Sequence, residues 1–349
     1  MIRLTKRQKA VLEYITKQGP VSNRETLEYL KTAFGKVSRV SIVRDIHALL
    51  QGGLIKREGK GRSVLYKVAE KNEVLRYIDV AKYFSKPADQ RDSKERFDFE
   101  IFEKLKNILS KEELSYFASA AQEYAARVKS LSPVALRKEF ERLTIEFSWK
   151  SSHLEGNTYS LIDTEVLIKE NKEAKGHSRE EAVMILNHKK ALDYVHDRKS
   201  NFRKLDLRKI ENVQSIIVEG LGVQKGMREK PVGIVGTRYK PLDNKHQIRE
   251  AMEKACRVIN TTRNPAAAAL LAIAMISYIQ PFEDGNKRTA RLIGNAILLA
   301  HNYPPLSFRS VDEAEYKKAL ILFYEQSNIG YFKELFTGQY KFSIENYFL

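Results

Sequence analysis

A chain of 349 residues, 43% of them hydrophobic and 30% charged, is long enough for one large folded domain beside a smaller one. Its 61 Lys and Arg against 44 Asp and Glu leave a formal charge of +17, which favours nucleic acid, nucleotide or an acidic protein without choosing among them. A single cysteine, Cys256, excludes a disulfide framework and a thiolate zinc site. It reads as a buried small apolar side chain. No apolar run reaches the roughly 20 residues that cross a bilayer, and the N-terminus lacks a signal-like apolar core. A soluble cytoplasmic protein with no membrane partner is expected.

The spacing predicts a first helix over Thr5–Lys17, with Val11, Leu12 and Ile15 on one side and Gly19-Pro20 closing it. Ser22 and Glu25 form a capping box opening a second helix through Leu30. Ser38 caps a third, whose Val40, Val43, Ile46 and Leu50 are expected inside, with Arg39, Ser41, Arg44 and His47 outside. Gly52-Gly53 ends it, and LIKREGKGRSVLYKV reads as two short strands joined at Gly59 to Gly61. Residues 1–70 contain 15 Lys and Arg against 6 Asp and Glu. This order resembles a winged helix-turn-helix of the DeoR or GntR kind. The resemblance implies double-stranded DNA as partner, with Arg39, Ser41 and Arg44 nearest base edges in the major groove. It places Lys60, Arg62 and Ser63 on the wing near phosphates, and a homodimer on palindromic DNA. The alternative is a protein-contact surface whose charges are merely solvated.

Lys71–Phe84 predicts one more helix, and the polar stretch from Ser85, SKPADQRDSKERFD, marks a boundary. Residues 71–98 then form a connector, and 99–349 a mostly helical domain. A period near 3.6 recurs over Phe99–Leu109, Lys111–Lys129, Pro133–Ser148, Val183–His196, Leu205–Leu221 and Lys245–Asn260, with terminal helices over Glu313–Tyr324 and Tyr331–Phe336. Ser151 and Glu155, four apart, share one face, and Glu155 before Gly156 reads as an ordinary helix end. Arg228–Pro241, with Val232, Ile234 and Val235, interrupts the helical pattern and reads as a short β-hairpin.

The stretch QPFEDGNKRTAR, Gln280–Arg291, is wedged between the apolar runs Ala266–Ile279 and Leu292–Ala300. Pro281 stops the first run and Gly285 permits a tight turn. A second helix then begins near Asn286, bearing Lys287, Arg288 and Arg291. The unpaired N–H groups and positive dipole end of such a helix attract an anion. Phosphate fits beside the guanidinium groups, and Asp284 faces them as a Mg2+ ligand. A salt-bridged loop without a ligand is the alternative.

This stretch resembles the signature loop HPFxDGNGRxxR of the Fic/Doc family, whose members mostly transfer AMP from ATP to a protein hydroxyl. The resemblance spans about Leu136–Phe323 and implies an all-α domain with a small β-hairpin flap, using ATP and Mg2+. It implies catalytic roles at the position of Gln280 and at Phe282, Asn286 and Arg288. Nucleotide contacts fall to Gly285, Asn286, Lys287, Arg288, Arg291 and Asn295, and the metal to Asp284. Lys287 replaces the usual glycine, as in the Doc-like branch. Ser151, Glu155 and Gly156 resemble the family's inhibitory motif, in which the glutamate pairs with the second arginine, here Arg291, where the ATP γ-phosphate should lie. Residues 228–241 resemble the flap that holds a protein target as an added strand, with Val235, Thr237 and Tyr239 at its rim.

Gln280 stands where the family has its base histidine, and a carboxamide has no accessible protonation near neutral pH. Three readings follow. The chain is an autoinhibited nucleotide-binding protein impaired in AMP transfer and coupled to a DNA-binding head; or an active adenylyltransferase or de-AMPylase using another base or water; or one whose natural residue 280 is histidine. A DNA-binding regulator with a purely structural Fic domain is a further alternative.

Overall fold

Three capped helices open the chain in the computed structural model, which describes residues 4–59, 61–69 and 72–349. α1 (Lys6–Gln18) starts at Thr5, whose hydroxyl accepts the Gln8 N–H while the Gln8 side chain accepts the Thr5 N–H. Ser22 and Glu25 repeat the device at α2 (Asn23–Phe34), and Ser38 caps α3 (Arg39–Gln51). β1 (Ile55–Glu58) and β2 (Leu65–Val68) pair antiparallel, Ile55 opposite Val68, and Val21 bridges to Tyr66. Val11, Ile15, Leu30, Ile42, Ile46, Leu49 and Ile55 close the core of this unit, Met1–Lys86.

The inward face of α3 differs from the one expected. Val40 and Val43 are 67% and 57% exposed, while Ile42, Asp45, Ile46 and Leu49 are buried. Two apolar stripes run along this helix, and the one kept inside contains Asp45, whose carboxylate accepts the Arg7 guanidinium of α1. A buried charge needs its partner, so the rotation that seats Asp45 against Arg7 turns both valines outward.

The helix expected over 71–84 is likewise replaced. Lys71 lies outside the described residues; beyond it stand a single 3-10 turn at Glu73–Leu75 and the short α4 (Val80–Phe84). The Asn72 and Asp79 side chains accept the N–H groups of Val74 and Lys82, offering the backbone a local alternative to a continuous helix.

The second unit, Pro87–Leu349, is helical. Its elements are α5 (Ile101–Lys104), α6 (Lys111–Ser130), α7 (Pro133–His153), α8 (Leu161–Glu170), α9 (Arg179–Asp197), α10 (Leu207–Ile217), α11 (Lys245–Thr261), α12 (Pro265–Ile279), α13 (Asn286–Ala300), α14 (Glu313–Gln326) and α15 (Gly330–Asn346). α8, capped by Ser160, has no counterpart among the expected helices, and only α5 forms of Phe99–Leu109. Every residue of α12 from Ala266 to Ile279 is buried, as a helix apolar on all sides requires. α13 lies against it so closely that a Cβ on Gly294 would stand 2.7 Å from the Ile273 side chain. Cys256 is buried on α11, and burial pushes its thiol up to about 12. No helix among the described residues is long and apolar enough to cross a membrane.

The β-hairpin expected over 228–241 is absent: among the described residues the β1–β2 pair is the only sheet. The segment carries Pro231 and Pro241, which lack donors, and its hydrogen bonds go elsewhere. Arg228 Nε donates to the Gln280 carbonyl at 2.7 Å and Nη1 to that of Lys230 at 2.8 Å. The Tyr239 hydroxyl donates to the Tyr278 carbonyl at 2.8 Å. What remains is a loop held by single bridges from Met227 to Phe282 and from Lys240 to Arg96.

Candidate active site

Gln280 ends α12 in the left-handed region (φ 50°), its N–H donating to the Ile276 carbonyl. Its side-chain Nε2 donates to the Ser277 carbonyl at 2.7 Å, so the carboxamide acts as part of the helix cap. The turn beyond is stapled by Asn286. Its Oδ1 accepts the Phe282 N–H at 2.9 Å and its Nδ2 donates to the Phe282 carbonyl at 2.8 Å, while the Phe282 ring is fully buried. Gly285 has φ 79°, and a Cβ there would meet Ile217 and Val218 at 3.0 and 3.1 Å. Glycine is therefore favoured twice over, by conformation and by a tight fit against these two side chains.

α13 starts at Gly285 with no side-chain cap, leaving its first N–H groups open to an anion. Arg288, 1% exposed, donates from Nη2 to Asp284 at 2.9 Å, while its buried Nε and Nη1 have no protein partner. Burial pushes the Arg288 pKa below its ordinary value, against the pull of Asp284 and Glu155. Arg291 is fully buried. Its Nε donates to Ser151 Oγ at 2.9 Å, and its Nη2 to the Ser151 carbonyl at 2.7 Å and to Glu155 Oε1 at 2.9 Å. Burial works to lower its pKa, but Tyr316, over whose ring the guanidinium lies, and Glu155 outweigh it and raise the value.

Glu155 sits in the turn just after α7, followed by Gly156 at φ 98°. Its second oxygen, Oε2, accepts Lys287 Nζ at 3.2 Å, so one carboxylate spans two of the three cations of α13. A cavity of about 640 Å3 opens beside this clamp. Leu154–Gly156, Val232–Gly236, Gln280, Glu283–Arg288 and the α14 residues Lys317, Leu320, Ile321 and Tyr324 line it. Asp284, with its side chain 57% exposed, faces this space.

Several expected site residues stand elsewhere. Asn295 does not reach the cavity: its amide is spent on the Leu306 backbone, Nδ2 donating at 2.9 Å and Oδ1 accepting at 2.8 Å. Tyr239 is 2% exposed with its hydroxyl on Tyr278, a core anchor and not a rim residue. Thr237 is half-buried and donates to Glu325 at 2.6 Å, whereas Val235 is 96% exposed. On the N-terminal unit Arg39 and Arg44 are exposed on α3, and Ser41 is partly engaged with the Ser38 cap. Ser63 lies in a 3-10 turn between the strands. Lys60 and the Arg62 side chain lie outside the described residues.

Among the described residues no histidine lines the cavity. His153 spends Nε2 on Glu313 (2.9 Å) and Nδ1 on the Asn157 carbonyl (2.7 Å), and His177 faces Thr158. The residue missed from sequence is His188 on α9, fully buried, edge-on to Phe147, with neither ring nitrogen bonded to protein. Burial first, then Arg291 and Arg288, holds its pKa well below 6.5. Its helical spacing with Ile185, Ala191, Leu192 and Val195 was the available signal of burial.

Comparison with known proteins meets this geometry over its centre: residues 204–298 match the model of the Fic/DOC family. Family membership is thereby supported for this part of the chain. A curated relative from Nematostella vectensis, "Protein adenylyltransferase Fic", is 27% identical over 207 residues, 56% of this chain and 46% of that protein. The Drosophila melanogaster protein of the same name is 27% identical over 190 residues, 52% and 38% of the two chains. The chain thus spans less than half the length of these relatives. Among solved structures, Fic-1 from C. elegans superposes with a TM-score of 0.55 at 20% identity, covering 71% of this chain and 72% of that one. A Fic domain containing signaling protein from Bacteroides thetaiotaomicron gives 0.57 at 20% identity, covering 66% and 95%. These two likenesses show a shared fold. The Fic/DOC match includes the 280–291 loop but not Ser151 or Glu155, both of which bond to Arg291 in the structure.

Proposed function

We propose that this Fic/DOC protein binds a nucleoside triphosphate at the start of α13, that Glu155 holds the site shut, and that Gln280 leaves AMP transfer impaired. The observation that carries the reading is the Glu155 carboxylate on Arg291 and Lys287 at 2.9 and 3.2 Å, the pairing that the resemblance associates with exclusion of a terminal phosphate. The orphaned Nε and Nη1 of buried Arg288 support it, since buried donors without partners call for an acceptor. So does the uncapped N-terminus of α13. The donor set fits Mg2+ held with the nucleotide. Asp284 offers one carboxylate to the cavity, no cluster of three metal-ligating side chains occurs among the described residues, and Mg2+ commonly takes one or two carboxylates plus phosphate oxygens. Bound there, the ion would neutralise phosphate charge.

The chain's own residues then divide the work. Arg288 and the α13 N–H groups bind phosphate, Asn286 keeps the loop in register, and Gln280 caps α12 without a proton to exchange. Loss of the base alone costs about 100-fold to 10,000-fold in rate, and no histidine in the cavity lining replaces it. The exposed Val235 loop would meet a protein target, and the basic N-terminal unit, read as a winged helix, would bind double-stranded DNA as a homodimer. Calorimetry with MgATP, and labelling with radioactive ATP, test the reading. The unaltered chain should bind weakly and not label itself, Glu155→Gly should bind tightly, and Glu155→Gly with Gln280→His should label. Robust labelling by the unaltered chain would sink the impairment. No heat from Glu155→Gly would favour instead a DNA-binding regulator with a purely structural Fic/DOC domain.

A further inference from the structure

The outward face of α3 pairs bare aliphatic side chains with exposed arginines and no exposed acid on the helix. Val40, Val43, Arg44 and His47 are all exposed and, at i, i+3, i+4 and i+7, lie on one stripe, with Arg39 one turn before Val43. Asp45 is the only acid on this helix, and it is turned into the core against Arg7. The exposed face of α3 therefore carries no negative charge, and the exposed Lys31 and Lys36 flank its entry. A protein partner would leave the valines satisfied but would need acids for the cations. The major groove of DNA supplies both, phosphates along its rims and, on thymine alone, a methyl group in its floor.

We propose that Val40 and Val43 read thymine 5-methyl groups, an inference that rests on the DNA-binding reading of the N-terminal unit. β-Branched side chains are stiff at χ1, so their methyls are held ready for contact. At a rise of about 1.5 Å per residue the two valines stand about 4.5 Å apart along the helix, close to the ~3.4 Å spacing of stacked base pairs. They therefore address neighbouring base pairs, while Arg39 and Arg44 reach phosphates or guanine edges.

The test uses the full chain and duplexes enriched from a randomised pool, each remade with deoxyuridine in place of thymine. Replacing a contacted thymine should weaken binding about fourfold per methyl, the effect of one buried methyl-sized group. Val40→Ala and Val43→Ala should each lose one such sensitivity while keeping the salt dependence of binding. Both sites are exposed, so the fold should tolerate the changes, which thermal melting checks. Salt-dependent binding that ignores uracil would overturn the inference and leave the DNA-binding reading intact. Uracil sensitivity that survives both substitutions would also overturn it. Absence of salt-dependent binding to any duplex would sink both, and self-association in sedimentation would then assign the valines to a second copy of the chain.

Discussion

Glu155 holds two cations with one carboxylate, and the two bonds are unequal. Arg291 is fully buried, whereas the Lys287 side chain is 27% exposed and its pairing is screened by solvent. Glu155→Gly is expected to leave Arg291 without its counter-ion, costing about 1–3 kcal/mol in the ligand-free chain. The same change frees the guanidinium for phosphate, so MgATP should restore the lost melting temperature by mass action. Thermal scans with and without MgATP read both effects. Lys287→Met should loosen the clamp less, as a partly exposed pair allows, and it also removes a cation that the resemblance gives to the nucleotide, so MgATP affinity should change by no more than about threefold. His188 makes a separate prediction at the same scale. Its folded-state pKa lies well below 6.5, so above that pH neither folded nor unfolded chain is protonated there. Below it the unfolded chain takes up a proton that the folded chain refuses. Stability should then fall as pH drops, by up to about 1.4 kcal/mol per unit, until the folded-state value is reached. His188→Leu should remove that increment, measured by urea unfolding at about pH 7.5 and about pH 5.5.

Among the elements, the close approach of α12 and α13 is what presents the 280–291 turn, and Gly294 sets that approach. Gly294→Ala should cost about 1–3 kcal/mol by overpacking against Ile273. Ile273→Ala in the same chain should recover part of it, a coupling that a double-mutant cycle in urea would measure. Elements whose signals are local were legible in the sequence: the capping box of α2, the all-apolar α12, and the glycine turn opening α13. What escaped depended on distant partners. α3 carries two apolar stripes, and only Arg7, on another helix, decides which one is buried. Residues 228–241 have the glycine and valine content of a hairpin, yet Arg228 and Tyr239 tie the segment to carbonyls around α12. Asn295 sits one turn beyond Arg291 and so faces the site on a helical wheel, but the backbone of Leu306 claims its amide. The reach of Glu155 to Arg291 was suggested only by resemblance; its second bond, to Lys287, had no local signal at all.

At the scale of the whole chain the charge is unevenly divided. Met1–Lys86 holds 19 Lys and Arg against 8 Asp and Glu, and the other 263 residues hold 42 against 36. Any affinity for a polyanion should therefore reside mainly in the first unit. A duplex contact neutralising about five phosphates would give a log–log salt slope near −4.5. Nucleotide sensitivity is a stricter claim than binding two ligands, because linkage makes it reciprocal. If MgATP shifts duplex affinity by some factor, the duplex must shift MgATP affinity by the same factor, about 5-fold to 150-fold for a typical coupling of 1–3 kcal/mol. Titrating MgATP into the Glu155→Gly chain with and without a saturating enriched duplex measures one side, and titrating duplex with and without MgATP the other. Matching shifts would make the two units one regulator. Two unshifted affinities would show that a nucleotide domain and a DNA-binding domain share a chain without sharing free energy.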